Sequence, residues 1–585
     1  MDIRLKYSFI FFLVFSVAGV VIVPGRIKAQ QANYPSDYFR SPLGIPLYLS
    51  GTFGELRSNH FHSGIDIKTG GTEGKNVYAI ADGYVSRIKV STGGYGKALY
   101  ITHPNGYVSV YGHLQRYNDV LQEFVTSYQY QKERFVVEIY PDKDQIKVKK
   151  GEVIALSGNT GSSAGPHLHF EIREEATQHP VNPLLFESIK VTDFYRPKIL
   201  EVAIYPVDRQ SLINGENDTV FYRVAGWGDE HYLRTNPEIT VSGRVSFGIR
   251  THDLMNDVPN KNGVYTIDMS VDTLQFFGLK MDELSFSTTR YINSLIDYGY
   301  YKKMKRRLVR TQVDTNNLLA TYRNVRANGI VSFDDSLMHT VTCKVADIHG
   351  NTAKLQFEVQ SVLPNDPVLV TVKDSDPEGV YFDFTQPHKI SEGNISLSFP
   401  ANAFYRSFYF MLDTDTVAGN YSPVYRVHNK FTPVQKAFTL KIKPEKIPEG
   451  WKDKMYIAYD NGNAIPAFIG AGWEKDYLKA KSRLLGNYLV AVDTVLPEII
   501  PVNIADGKDI SAQNTIKVKI KDGETGIGSY RGTLNDRWIL MEYDAKKQLL
   551  TYTYDKRLEK GANHLKLVVN DLLGNETVFE ADLIY

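Results

Sequence analysis

The stretch Gly165-Pro166-His167-Leu168-His169-Phe170-Glu171-Ile172-Arg173 alternates without a break. His167, His169, Glu171 and Arg173 fall on one side and Leu168, Phe170 and Ile172 on the other, the period-2 pattern of a half-buried strand. Both imidazoles therefore leave the same face. Upstream, His62-Ser63-Gly64-Ile65-Asp66 places a histidine and a carboxylate four residues apart, on one face if extended. Gly64 between them, without a side chain, is read as room for an ion or a substrate. Two imidazoles and one carboxylate with a fourth position open is how a catalytic zinc site is built.

A His-x-His pair alone is a weak signal: with 14 His in 585 residues, chance supplies about 0.3 such pairs. This chain has two, His60/His62 and His167/His169. The joint occurrence of His62-x-Gly-x-Asp66, Tyr111-x-His113-Leu114 and Gly161-Ser-Ser-Ala-Gly165-Pro-His-Leu-His169-Phe-Glu carries the argument. In this order the motifs resemble the LytM/lysostaphin-type zinc metallopeptidases, the M23 peptidase family. Val77-Tyr-Ala-Ile-Ala-Asp-Gly83-Tyr-Val, Gly94-Tyr-Gly96, Tyr100-Ile-Thr-His103-Pro-Asn-Gly106 and Gly151-Glu-Val-Ile-Ala-Leu-Ser-Gly158-Asn-Thr-Gly161 extend the resemblance. It runs from about residue 44 to about residue 186.

Carried over residue by residue, the resemblance implies that His62, Asp66 and His169 hold one Zn2+ and that His113 and His167 are the two catalytic histidines. It also implies hydrolysis of peptide cross-links in peptidoglycan. The chemistry of these residue types agrees. Two neutral imidazoles and one carboxylate leave the zinc net positive, able to acidify a bound water and polarise a peptide carbonyl. Histidine suits general-base work near neutral pH. There is no His-Glu-x-x-His segment, so no glutamate base of that kind is on offer. His113 is assigned as the base and His167 as the stabiliser of the oxyanion or leaving group, with the reverse order left open. Tyr111, two residues before His113, is read as lining the groove or packing beneath it. Glu171 is read as orienting His169 or, with more weight, as a solvated strand-end carboxylate. His103 is a weaker candidate for a direct role.

Between His113 and Gly151 the chain is longer than the resemblance leads one to expect. The alternation of Phe135, Val137 and Ile139 predicts a hairpin there, forming one wall of the substrate groove.

Arg4 and Lys6 precede an apolar run from Ser8 to Val23, followed by Pro24-Gly25 and Ile27-Lys28-Ala29, which reads as a signal peptide cleaved after Ala29. The run is short for a membrane span; an uncleaved N-terminal anchor is the alternative. The mature chain is then expected in the periplasm, cell envelope or extracellular space, with no transmembrane span. Cys343 is the only cysteine, which excludes an internal disulfide and predicts a buried thiol. The net charge of +1, from 67 basic and 66 acidic residues, argues against a nucleic-acid partner.

The length suggests several domains, and the many tyrosines in alternating runs favour strands. The fold class expected is mainly β: an antiparallel LytM-type peptidase sheet followed by about three β sandwiches. The boundaries are 1–29 for the signal peptide, 30–190 for the peptidase domain, 191–362 for a β sandwich with a partly helical insertion, 363–492 for a second sandwich and 493–585 for an Ig-like one. Pro364-Asn-Asp-Pro367 and Asp493-Thr-Val-Leu-Pro497 read as linkers. Asp347-Ile-His-Gly-Asn351 and Asp571-Leu-Leu-Gly-Asn575 echo each other as hairpin turns, since Asn and Gly tolerate positive φ. The basic run Lys302-Lys-Met-Lys-Arg-Arg307 reads as a solvated helix end, with a contact to an anionic envelope polymer as the functional alternative. Two other functions compete with the exported peptidase: a catalytically inactive regulator of other wall hydrolases, and a β-sandwich scaffold or adhesion protein.

Overall fold

A computed structural model describes residues 34–363, 378–417 and 419–585. The expected signal peptide and the Pro364–Pro367 linker lie outside the described residues. In chain order the first strands are β1 (Leu49–Gly51), β2 (Ile65–Lys68), β3 (Asn76–Tyr78), β4 (Gly83–Val90), β5 (Lys97–Thr102), β6 (Tyr107–Leu114), β7 (Arg116–Tyr117), β8 (Val137–Ile139), β9 (Lys147–Val148), β10 (Val153–Leu156) and β11 (His167–Glu174). One helix, α1 (Asp119–Lys132), separates β7 from β8.

The main sheet is antiparallel and ordered β1-β2-β11-β6-β5-β4-β8, while β3, β10 and β7 form a small second sheet. Ile65, Val85, Ile101 and Phe170 build the core between them. β11 is central, flanked by β2 and β6. Its interior residues are buried on both faces, not one. The second face is closed by a smaller cluster of Ala98, Tyr100, Val108 and Val110.

The segment after His113 is not a hairpin. Asn118 caps α1 by accepting the Leu121 amide, and Leu121, Val125 and Gln129 recur every four residues on the buried face. The alternation seen at Val137 and Ile139 is a real strand, but it pairs with β4 instead of folding back on itself. Nor does the insertion face the groove. The Tyr130 ring of α1 meets Trp538 edge-on at 5.2 Å and lies 3.6 Å beneath the Arg557 guanidinium. Glu133 pairs with Arg531 at 2.6 Å, and nearby Lys97 pairs with Glu542 at 2.9 Å. The insertion is a docking surface for the C-terminal unit.

Downstream the chain stays β. Residues 198–361 pack around Val202, Phe247, Phe277 and Leu355, with a helical stretch ending in Tyr298–Met304. The basic run that follows is a helix end: Lys302 and Lys303 occupy the last turn, and Arg307 stacks on Tyr301 at 4.3 Å. Residues 380–492 form two five-stranded sheets around Leu397, Phe438 and Tyr488, with a short two-stranded pair beside them. Residues 498–584 form two four-stranded sheets around Val518, Tyr552 and Leu567. The Asp347 and Asp571 turns each close the last hairpin of their unit. In both, the Asp Oδ1 accepts the amide of the Asn four residues on. Cys343 is buried. Among the described residues no helix is long and apolar enough to cross a membrane.

Candidate metal centre and groove

Asp66 on β2 stands directly opposite His169 on β11. Strand pairing, not sequence proximity, brings these two side chains together. His62 lies just before β2, where a turn returns the chain: its amide donates to the Glu55 carbonyl and its carbonyl accepts from Gly54. Gly64 leaves no room for an ion or a substrate. A Cβ there would lie 2.3 Å from the Phe170 carbonyl oxygen, so glycine lets this turn press against β11.

His62 Nε2, Asp66 Oδ1 and His169 Nδ1 converge at 3.0, 2.9 and 3.1 Å from one another. Their protons are fixed from behind. His62 Nδ1 lies 2.7 Å from the Thr52 carbonyl, which can only accept, so that nitrogen carries the proton. His169 Nε2 lies 2.8 Å from Glu171 Oε1, so its proton is there. With both imidazoles neutral, as metal ligation requires, the nitrogens facing Asp66 present lone pairs, and this donor set fits a zinc ion. Burial alone would lower His169, but its hydrogen bonds to Asp66 and Glu171 raise it to about 9, so a bound cation would displace a proton here. Arg57 Nη2 meets the outer oxygen of Asp66 at 3.3 Å.

Glu171 is fully buried, not a solvated strand end. It accepts from Ser63 Oγ at 2.6 Å, from the Tyr95 hydroxyl and from Arg173 Nε at 2.6 Å as well as from His169. Burial alone would raise its pKa, but Arg173 and the His169 and Ser63 hydrogen bonds hold it well below the usual carboxylate range. Tyr95 also stacks on His169, with ring centroids 4.9 Å apart. Tyr95 and Ser63 escaped sequence reasoning although both sit inside quoted motifs; only the fold shows that they meet Glu171. Substituting Glu171→Gln should weaken zinc affinity about 10–100-fold, measurable by competition with a chromophoric chelator, because the amide is a poorer acceptor for His169.

His113 and His167 face each other across the same site, ring centroids 4.7 Å apart. His113 Nδ1 donates to the Thr160 carbonyl at 2.9 Å, leaving Nε2 as the lone pair. Burial, reinforced by the His169 and His167 imidazoles, lowers His113 to about 3, so it is neutral at physiological pH. His113 also adopts φ +59°, sparsely populated for a residue with a side chain. His167 Nδ1 donates to the Gly165 carbonyl at 2.8 Å, and its Nε2 lies 3.4 Å from Asp66 Oδ1.

All five histidine and aspartate candidates line one cavity of 1020 Å³. Tyr111 does not. It is fully buried, and its hydroxyl accepts from the Ile80 amide in the core. His103 is also remote from the cavity, bonded to the Asp82 carbonyl and the Ser109 hydroxyl. Phe286, in a turn of the next unit, and Thr289, at the start of its helical stretch, join the cavity lining. Thr289 Oγ1 accepts the Phe61 amide at 2.9 Å, and Phe286 lies 4.5 Å beneath the Arg173 guanidinium. The unit after the peptidase sheet thus supplies part of the groove.

Residues 60–130 and 120–183 match the model of peptidase family M23, and residues 379–493 match that of a Zu5-like domain. The DD-carboxypeptidase/endopeptidase Mpg of Neisseria meningitidis is 35% identical over 165 residues, 27% of this chain and 30% of that protein. The murein hydrolase activator NlpD of Escherichia coli is 34% identical over 135 residues, 23% of this chain and 28% of that protein. The chain thus spans about 30% of the length of the curated relatives it matches. The catalytic domain of the M23 protein EnpA from Enterococcus faecalis is 26% identical, covering 25% of this chain and 95% of that one, with a TM-score of 0.19.

Proposed function

We propose that the peptidase M23 domain of this chain, residues 60–183, is a zinc endopeptidase that hydrolyses peptide cross-links of peptidoglycan outside the cytoplasm. The observation that carries this reading is the convergence of two imidazole nitrogens on Asp66, with His113 and His167 at the same cavity.

His62, Asp66 and His169 would hold the zinc, which when bound supplies Lewis-acid chemistry: a water acidified toward neutrality and a polarised carbonyl. The chain's own residues do the rest. Glu171 fixes the His169 tautomer, and the Thr52 carbonyl fixes that of His62. His113, neutral and held by Thr160, takes the proton from the attacking water at Nε2. His167, oriented by Gly165, presents Nε2 to the developing oxyanion or leaving amine. Phe61 and Phe286 give the groove an apolar wall, with Arg57 and Lys68 also along its lining.

The similarity to a murein hydrolase activator makes activation of other wall hydrolases the second reading. Digestion of purified sacculi, followed by mass spectrometry, separates the two. The expected result is release of fragments with new amines at cross-links, lost on chelation and restored by zinc. A zinc-loaded chain that releases nothing by itself but accelerates an added wall hydrolase would replace the first reading with the second.

A further inference from the structure

Asp193, Asp253 and Asp347 bring three carboxylates together where the peptidase sheet meets the next unit. One oxygen from each lies within 4.8 Å of the others. They are 5%, 2% and 3% exposed. Asp193 sits in the connection after the peptidase sheet, Asp253 on the strand Thr240–Met255 and Asp347 on the hairpin turn before Thr352–Ser361.

Buried carboxylates need a counter-charge or a full set of hydrogen bonds. Here both are incomplete. Among the described residues, Asp193 Oδ2 and Asp253 Oδ1 are buried and accept from no donor, and none of the three carboxylates has a lysine or arginine within 4 Å. Left so, burial raises Asp253 to about 9 and Asp193 to about 6, with Asp347 adding to both.

Outside the triad, Asn262 supplies an independent sign. It stands directly opposite Asp253 in the antiparallel ladder, so its side chain leaves the same face. Asn262 is 4% exposed, yet both polar atoms of its carboxamide lack a partner among the described residues. A cavity of 20 Å³, enough for one ion or water, borders Asp253 and Asp347 and is lined also by Thr52 and Asn182 of the peptidase unit; Asp193 and Asn262 lie outside its lining.

We propose that Asp193, Asp253 and Asp347 bind a calcium ion, with the Asn262 carboxamide beside them. The donors are all oxygen, several are anionic, and they come from a connection, a strand and a turn. That suits a hard cation that accepts irregular coordination, calcium before magnesium. The bound ion ties the connection after the peptidase sheet to the unit that carries Phe286 and Thr289, and so fixes that part of the groove. A related cluster, Asp493, Asp522 and Asp571, lies at the later junction. There the Thr525 hydroxyl donates to Asp493 at 2.6 Å and the Gly526 amide to Asp522 at 2.7 Å, leaving one buried carboxylate oxygen, Asp522 Oδ1, without a partner among the described residues, against two in the first triad.

The test uses the full chain, stripped with EGTA, desalted and reloaded with one equivalent of zinc. Calorimetric titration with calcium chloride and thermal melts are compared for the wild type, Asp253→Asn and Asn262→Ala. The wild type should bind calcium and melt about 2–4 °C higher with it. Asp253→Asn should bind one calcium ion fewer and lose the corresponding rise, yet melt no lower than the wild type without calcium, since the amide replaces a carboxyl that burial already keeps protonated when no ion is bound. Asn262→Ala should bind calcium more weakly. The proposal is overturned if the wild type binds no calcium, if Asp253→Asn binds as many ions as the wild type, or if magnesium at equal concentration gives the same heats and the same rise.

Discussion

His113→Ala is expected to cut peptide-bond hydrolysis about 10²–10⁴-fold while the chain keeps its zinc. The separation follows from where His113 stands. Its ring centroid is 5.9 Å from that of His169, and its Nδ1 is committed to the Thr160 carbonyl. It holds none of the three atoms that converge at 2.9–3.1 Å. Its loss therefore removes a proton acceptor and leaves the donor set standing. The positive φ gives a second handle. A side chain at φ +59° stores strain that glycine does not, so His113→Gly should be as inactive as the alanine variant and no less stable. Steady-state hydrolysis of a defined cross-linked muropeptide, with zinc by atomic absorption and a thermal melt, checks all three. Turnover retained in either variant, or zinc lost in both, would remove His113 from the role of base.

The same residue shows what a linear reading can and cannot see. The spacing Tyr111-x-His113 suggests one shared face, but β5 and β6 pair Leu99 with Tyr111 and Lys97 with Leu114. Three steps on β6 match two on β5, so one extra residue bulges out and the alternation reverses. Tyr111 stays in the core while His113 turns to the groove. No composition or period signals a bulge of this kind. On β11 the alternation is unbroken, and His167 and His169 do reach one site as their spacing implies. A half-buried reading of its strand sends Glu171 to solvent. The layer of Tyr95 and Tyr100 that covers it comes from another part of the chain. α1 left a fainter trace, Leu121 and Val125 four apart after the cap Asn118. The β alternation just beyond it outweighed that signal. The contribution of Phe286 to the groove depends on how two units meet, which no local pattern encodes.

His169→Ala should abolish stable zinc binding, a larger loss than the about 10–100-fold expected for Glu171→Gln. The substitution removes one of three donors outright. It also strips Glu171 of its His169 hydrogen bond and leaves Tyr95 without the ring on which it stacks. His62 and Asp66 alone cannot close a tetrahedral site against a competing chelator. His167→Ala is the matched control, made on the same strand and facing the same cavity. Its ring nitrogen is anchored to the Gly165 carbonyl, so that variant should retain zinc after dialysis and still fail to turn over substrate. Zinc content after dialysis against a weak chelator, compared with melting temperature, distinguishes metal loss from unfolding. If both variants lose zinc equally, His167 belongs to the donor set; if neither does, His169 does not. The division depends on tautomers. Glu171 accepts the Nε2–H of His169, which would free Nδ1 for a metal. The Gly165 carbonyl accepts the Nδ1–H of His167, which would leave Nε2 for the reaction. One strand can carry both roles because its two histidines are held by different acceptors.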